Sequence, residues 1–513
     1  MDSSNSTPPQ NTSILIVGAG PTGLVLALWL THFGVNVRII DKNAEAGTES
    51  RAIGIQARTL ELYQQIGLAQ DIIAHGIKVN DLTLRKNGRK TFSLPLKDMG
   101  KGLSPFPFIL FFPQDDHEKI LIERLRLAGV TVERNSELIK LTQTNDSVQA
   151  IVKNENGLET INIAYLCGCD GARSTVREQL NIQFPGGTYS QIFFVADAIA
   201  TSDSADDDIQ LCVSSEDFCI TLPVRNHGSY RLIGIVPPDK ESKENINFDD
   251  VLPSVTRNTQ LKIKSLNWFS TYHVHHRVAN QFQKERAFLI GDAAHIHSPA
   301  GAQGMNTGIG DAINLAWKLA AVVQNRADPK LLGSYQIERM QFAKQLVSTT
   351  DKLFQIMTSK HLLGKIWRGI VFPFVMPMLF RIPFMKRFFF KIVSQIELKY
   401  RHSPLSQGHA GKIYAGDRLP WVQYETTDNF ASLQAMDWQV HIYGTASSTL
   451  VTDINKLKIA LHVFPWSNNP ETAGLEKNTI YLIRPDGYIA YINSDQNPLL
   501  LKEFLSLLNL SYR

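Results

Sequence analysis

The chain is predicted to fold as an α/β protein in which a Rossmann-like nucleotide-binding domain carries an inserted antiparallel sheet. Three stretches predict it: a glycine-rich turn at Gly18, an alternating segment over residues 187–277, and a Gly-Asp turn at Gly291 that leads into a helix. Residues 14–17 are a short apolar run, with polar residues before it and a glycine after it, and read as a strand. Gly18, Gly20 and Gly23 then fit G-x-G-x-x-G, with Pro21 and Thr22 between them. In that pattern the first glycine allows a tight turn. The second lets the backbone reach a pyrophosphate, and the third lets helix and strand pack closely. The helix that follows aims its N-terminal amides and dipole at the phosphates. Residues 37–40 read as the next parallel strand. Asp41 ends it, 18 residues beyond Gly23, where a carboxylate can accept hydrogen bonds from ribose hydroxyls. A merely structural glycine turn would not need strand, helix, second strand and acid all in register.

The Gly291 stretch lies about 270 residues further on. An apolar run from Phe288 ends at Gly291 and Asp292, a Pro/Gly-rich loop follows, and then a helix begins with Asp311, Asn314 and Trp317 in its first turns. The glycines permit close backbone approach to a ligand, and Asp292 can accept from hydroxyls. Between the two motifs, a strand-like run from Tyr165 leads to Asp170 and Gly171, with Arg173, Ser174 and Arg177 around the turn. Alone, Asp-Gly is a common turn dipeptide.

Taken in order, the three motifs resemble those of the single-component (class A) flavoprotein aromatic hydroxylases, the monooxygenase family of p-hydroxybenzoate hydroxylase and phenol hydroxylase. The resemblance is strong over residues 12–345. It continues more weakly to the end, where residues 415–420 and 483–490 resemble the C-terminal domain of the phenol hydroxylase branch. It implies FAD as cofactor. Gly18, Gly20, Pro21, Thr22 and Gly23 would meet the pyrophosphate, and Asp41, with Lys42 beside it, the adenosine ribose; the family more often has Glu there. Arg51 and Gln114 resemble the family's cofactor-contacting Arg and Gln. Asp170 and Arg173 belong to a motif linked to both FAD and NAD(P)H. Asp292 would contact the ribityl chain. Pro299, Gly304, Met305 and Asn306 would lie against the flavin ring, their amides near an edge that becomes negative on reduction. The implied chemistry is reduction by NADPH or NADH, addition of O2 to give a flavin C4a-hydroperoxide, and hydroxylation of a phenolic, aromatic or polyketide-like substrate. Baeyer–Villiger oxidation or epoxidation of a lipophilic substrate stays open. So does an FAD-containing binding protein that does not oxygenate. The Trp-x-Trp-x-Ile-Pro signature of the flavin halogenases is absent.

The resemblance also supplies a domain plan. Residues 1–12 form a disordered arm, and 13–186 with 278–350 a discontinuous FAD-binding domain. Residues 187–277 form a p-hydroxybenzoate hydroxylase-like substrate sheet, 351–408 a helical connector, and 409–513 a thioredoxin-like domain. The last contains no cysteine, which excludes thiol redox chemistry and leaves packing or homodimer contact as its work. At 513 residues the chain is long enough for two or three domains, and a net charge of +4 gives no case for nucleic acid. Cys167, Cys169, Cys212 and Cys219 lack metal-site spacing and read as small buried thiols of a reducing, cytoplasmic protein. Residues 1–12 are polar and rich in Ser, Asn and Pro, and are not expected to act as an apolar signal segment.

Phe218, Ile220 and Leu222 alternate, so they are candidates to line an apolar substrate pocket, against the plainer expectation of core. His297 is the candidate catalytic side chain. His273 and His275 share a strand face, but strand histidines are commonly hydrogen-bonded, and no metal is expected. Residues 352–402 carry many Lys and Arg with Glu397 as the only acid. The apolar run at 370–380 is too short to span a bilayer and is broken by Pro373 and Pro377. Either this segment makes peripheral contact with an anionic membrane, or it is a helical hairpin packed on the FAD domain.

Overall fold

The computed structural model describes residues 13–47, 52–201, 208–214, 218–225, 228–298, 303–358, 371 and 375–508. The arm at 1–12, Arg51 and Pro299 lie outside them. Ile14–Val17 is the most apolar of the short strands and sits where burial demands it, between Tyr165–Gly168 and Val37–Ile40 and parallel to both. Val132–Glu133 and Ala287–Leu289 extend this sheet in parallel on either side, and Gln283–Lys284 closes one edge antiparallel. A parallel sheet is covered on both faces, which is why Ile14–Val17 and Tyr165–Gly168 are buried throughout. Helix α1, Pro21–His32, covers one face. Pro21 presets its first turn, every residue from Gly23 to Leu30 is buried, and Gly34 at φ +75° ends it.

The same sheet order brings three strand ends together. Ile14–Val17 leads to Gly18, Tyr165–Gly168 to Asp170, and Ala287–Leu289 to Gly291. In open α/β sheets ligands bind at the carboxyl ends of the strands. Four further helices surround this edge: α2, Ala57–Gln65; α3, Gln114–Leu127; α4, Gly304–Val323; and α5, Gly333–Thr358. All four cysteines are buried free thiols.

An eight-stranded sheet stands beside this domain. Its two longest strands, Gly186–Thr201 and Lys262–Val278, pair antiparallel, and Ser229–Ile235, Phe218–Pro223 and Ile209–Val213 follow in order. Two strands come from earlier in the chain, the hairpin Asp81–Lys86 and Arg89–Pro95, and His295–Ile296 closes the opposite edge. Leu84 of the hairpin packs with Leu211 and Val213, so the hairpin joins through an apolar face as well as through the ladder. Within the sheet, His275 is hydrogen-bonded to Thr188 at 2.7 Å.

Helix α6, Pro383–Val393, precedes a third, four-stranded sheet. Across it run Ala460–Phe464, Gln439–Tyr443, Ile480–Ile483 and Ile489–Asn493; the first pair is parallel and the other two antiparallel. Apolar packing and buried charges both tie it to the rest: Trp438, Val440, Ile442 and Leu482 belong to the same apolar cluster as Ile14–Val17 and Trp317. Arg484 Nη1 donates to Glu338 Oε1 at 2.7 Å, and its fork also meets Asp486. Lys318 Nζ reaches Glu338 Oε2 at 2.8 Å, and the Ser403 hydroxyl donates to Glu338 at 2.6 Å. Trp317 Nε1 donates to Asp486, and Arg418 holds Glu61 of α2 with both arms of its fork. Burial opposes charge on Glu338, but Arg484 and Lys318 outweigh it and hold the carboxyl far below its ordinary range. Burial presses Lys318 the other way, down to about 8.

Removing one partner of such a cluster leaves buried charge uncompensated. Glu338→Ala is expected to cost about 3–5 kcal/mol, read as a lower thermal midpoint and earlier proteolytic release of residues 409–508. A wild-type midpoint in this variant would refute the coupling. Because the folded carboxyl titrates lower than the unfolded one, its contribution is present above the ordinary glutamate range and is lost as the pH falls through the folded value.

Candidate functional site

The three strand ends meet around the first turn of α1. A Cβ on Gly23 would collide with the Gly18 carbonyl oxygen, and one on Gly308 with the Thr22 hydroxyl. A Cβ on Gly291 would lie 2.7 Å from the Thr22 Oγ1. Glycine is therefore required where α1, the Gly291 turn and α4 meet. Gly18, at φ +102°, presses on the Cys169 carbonyl and so joins the Asp170 motif to the others. Gly20 differs: nothing lies within 4 Å of where its Cβ would be. The first and third glycines are filled by protein, and the second faces open space.

Two helices begin at this opening without a side-chain cap. The N-cap of α1 is Gly20, which has no side chain, and that of α4 is Gln303, whose side chain does not bond the helix. The first-turn amides of both helices thus keep their donors unspent by caps, and their dipoles place partial positive charge at the same edge. This donor set suits an anionic dinucleotide at one end and an electron-rich ring at the other.

The carboxylate of Asp41 is oriented by the glycine loop itself: Ala19 N donates to its Oδ2 at 2.7 Å and Asn43 N to its Oδ1 at 2.9 Å. Lys42 is exposed beside it. Gln114 is tied to Ala52 in both directions, donating its amide to the Ala52 carbonyl and accepting from Ala52 N, so it adjoins the segment that holds Arg51. Asp170 is spent on its own turn. It accepts from Ser174 Oγ at 2.6 Å and from Val176 N at 3.0 Å, and burial pushes its carboxyl up. Arg173 is exposed, whereas Arg177 is buried. Arg177 donates to the Ala293 carbonyl at 3.0 Å and stacks on Phe184, which links the Asp170 turn to the Gly291 turn. Asp292 stands exposed in the 3-10 turn Gly291–Ala293.

Met305 is half-buried in the first turn of α4. The Asn306 side chain has a use that the motif did not suggest. Its Oδ1 accepts from Gln56 N and the Thr59 hydroxyl, and its Nδ2 donates to the Gly54 carbonyl, so it clamps the segment before α2 onto the start of α4. Phe218 and Leu222 are buried in separate clusters, Phe218 with Phe193 and Val274, Leu222 in the main core; Ile220 is half-buried between them.

His297 lies beside the start of α4. Its Nδ1 meets the Ser298 carbonyl at 2.7 Å, so Nδ1 carries the proton and Nε2 is a bare acceptor. That Nε2 is buried, has no hydrogen-bond partner among the described residues, and lies 3.8 Å from where a Cβ on Gly304 would stand. Burial pushes the imidazole down to about 4, so it is neutral at ordinary pH.

Residues 11–350 match the FAD-binding domain family. The chain is 32% identical over 408 residues to 6-methylpretetramide 4-monooxygenase of Streptomyces rimosus, an alignment that spans 78% of this chain and 72% of that one. Among solved structures, the anhydrotetracycline hydroxylase OxyS of S. rimosus superposes with a TM-score of 0.76 at 26% identity, over 97% of this chain and 99% of that one. The Diels-Alderase PyrE3 of pyrroindomycin biosynthesis superposes with a TM-score of 0.74 at 25% identity, over 98% and 100%. With the p-hydroxybenzoate hydroxylase-like fold, the glycine-lined cleft and this match over most of its length, the chain belongs to the FAD-binding domain family, among the class A flavin-dependent aromatic hydroxylases and monooxygenases.

Proposed function

We propose that the protein uses NADPH or NADH to hydroxylate a phenolic or polyketide-like aromatic substrate in the cleft at Gly20, Asp292 and the start of α4. The observation that carries this is the pair of uncapped helix N-termini flanking the one signature glycine that faces open space. Bound FAD would supply the two-electron redox chemistry and the activation of oxygen. The chain's own groups hold and polarise. The α1 amides and the open backbone at Gly20 take the pyrophosphate, with Pro21, Thr22 and Gly23 shaping that turn. Asp41, preset by Ala19 N, accepts from a ribose hydroxyl, and Asp292 accepts from the ribityl chain. The amides of Gly304, Met305 and Asn306 present the positive end of α4 to the ring edge that gains electrons. The fold of residues 439–507, β-α-β followed by β-β-α, supports a thioredoxin-like unit that packs against α2, α4 and α5 through its arginines.

His297 acts in this scheme as a hydrogen-bond acceptor for a substrate hydroxyl. It is too weak a base to ionise a phenol: a gap of about 6 pK units between an imidazole near 4 and a phenol near 10 costs about 8 kcal/mol. His297→Ala is expected to raise KM for substrate and to divert turnover towards hydrogen peroxide, while FAD content stays unchanged. An unaltered ratio of product to peroxide would remove His297 from the scheme. Since burial lowers the folded pKa, the ring stays neutral throughout the ordinary histidine range and charges only as the pH falls towards about 4. Acidification towards about 4 charges the ring, so substrate affinity falls on that limb in wild type and not in the variant.

Asp292→Ala is expected to weaken FAD retention, measured as the ratio of flavin to protein absorbance after gel filtration; full occupancy would count against the assignment. For the reaction, NADPH and NADH oxidation would be followed across a panel of phenols and fused-ring phenols, with labelled O2 and peroxide assay. Label in a new phenolic hydroxyl is the expected result, and label in an ester or epoxide would point to the Baeyer–Villiger or epoxidising alternative. A second reading, an FAD-containing protein that does not oxygenate, is favoured by the similarity to a Diels-Alderase. No substrate-dependent NAD(P)H oxidation across the panel would support it.

A further inference from the structure

We propose that the outer face of α6 docks on an anionic lipid membrane. The helix has two apolar faces, and only one is used by the fold. On the inner face, Phe390 is buried under Gly100, where a Cβ would collide with its ring, and Phe389 meets Phe380 edge-to-face at 5.2 Å. On the outer face, Phe384, Phe388 and Ile392 recur at four-residue spacing and are 70%, 49% and 48% exposed. Phe384 and Phe388 stack on each other, and Met378 and Ile382 extend the patch with 72% and 49% exposure. A contiguous run of large exposed side chains marks an interaction surface, not ordinary scatter.

The charges choose the partner. Residues 375–402 hold six Lys and Arg against one acid, Glu397. Glu397 is already taken by Lys391 at 2.6 Å and Lys399 at 3.3 Å, and Arg401 is taken by Asp417. Among the described residues, the exposed Arg381 and Arg387 have no carboxylate within ion-pair distance. A two-fold contact with a second copy would press this patch onto itself and bring like charges together. An anionic bilayer surface neutralises them, while the aromatic side chains enter the headgroup boundary. At 11 residues α6 is too short to cross a bilayer, and no described helix is long and apolar enough to do so, so the contact lies in the membrane plane. The base of the helix is firmly held: Arg58 N donates to the Ser394 carbonyl, and Gln395 Nε2 to Thr307 Oγ1. The face is therefore presented by a fixed element.

The test is co-sedimentation of the full-length, FAD-loaded protein with vesicles of phosphatidylcholine alone or mixed with phosphatidylglycerol, at low and high salt. Binding to the mixed vesicles only, weakened by salt, is expected. F384S/F388S and R381Q/R387Q should each lower partitioning by about tenfold or more, with flavin absorbance and circular dichroism unchanged. Absence of binding by the wild type, or undiminished binding by both variants, would overturn the proposal. So would a wild-type dimer that F384S/F388S converts to monomer without any vesicle binding, which would assign the face to a second copy.

Discussion

One buried carboxylate, Asp311, organises the junction on which the cleft depends. It accepts from Gly291 N at 3.1 Å, from His295 Nε2 at 2.6 Å and from Arg339 Nε at 2.5 Å. The same arginine donates to the Thr307 carbonyl and to the Tyr400 hydroxyl. A strand end, the following turn, the first turns of α4, helix α5 and the segment leading to the last sheet thus share one anion. Burial alone would push that carboxyl towards neutrality; Arg339 and His295 more than reverse it and hold it below its ordinary range. A fully satisfied buried network of this kind fixes geometry at little net gain in stability. Geometry is what a cofactor cleft requires.

The same economy explains the last sheet. Arg484 reaches Glu338 of α5, Asp486 accepts from Trp317 of α4, and Arg418 and Arg58 meet at Glu61 of α2. Trp438 packs edge-to-face on Trp317 at 5.7 Å. The sheet with no cysteine therefore buttresses the helix whose N-terminus borders the Gly291 turn, through hydrogen-bonded charges and apolar packing together. α6 is held to the body at Ser394 and Gln395, which leaves its outer stripe to solvent.

Much of the site was legible because local chemistry carries it. The Gly18–Gly23 turn, Asp41 at the second strand end and the Gly291 turn each announce themselves through residue types that few other conformations need. Arg177, Asp311 and the Asn306 side chain were not legible as organisers. Each acts on a partner far away in the chain, Ala293, Arg339 and Gly54 respectively, and no local pattern states a distant partner. Phe218, Ile220 and Leu222 show the converse. Alternation placed them on one side of a strand, but which side meets core depends on the neighbouring sheet and hairpin.

By itself, then, the sequence determined the α/β class, the order of the three motifs and the glycine turn at Gly18, because steric demands on glycine and the period of apolar residues are short-range. Only the tertiary structure decided that Gly20 alone of the three signature glycines is open, that Asp170 is spent on its own turn, and that His297 Nε2, beside α4, has no partner among the described residues. It also decided which stripe of α6 faces water. These are questions of what fills the space around an atom, and that is settled by segments brought together from across the chain.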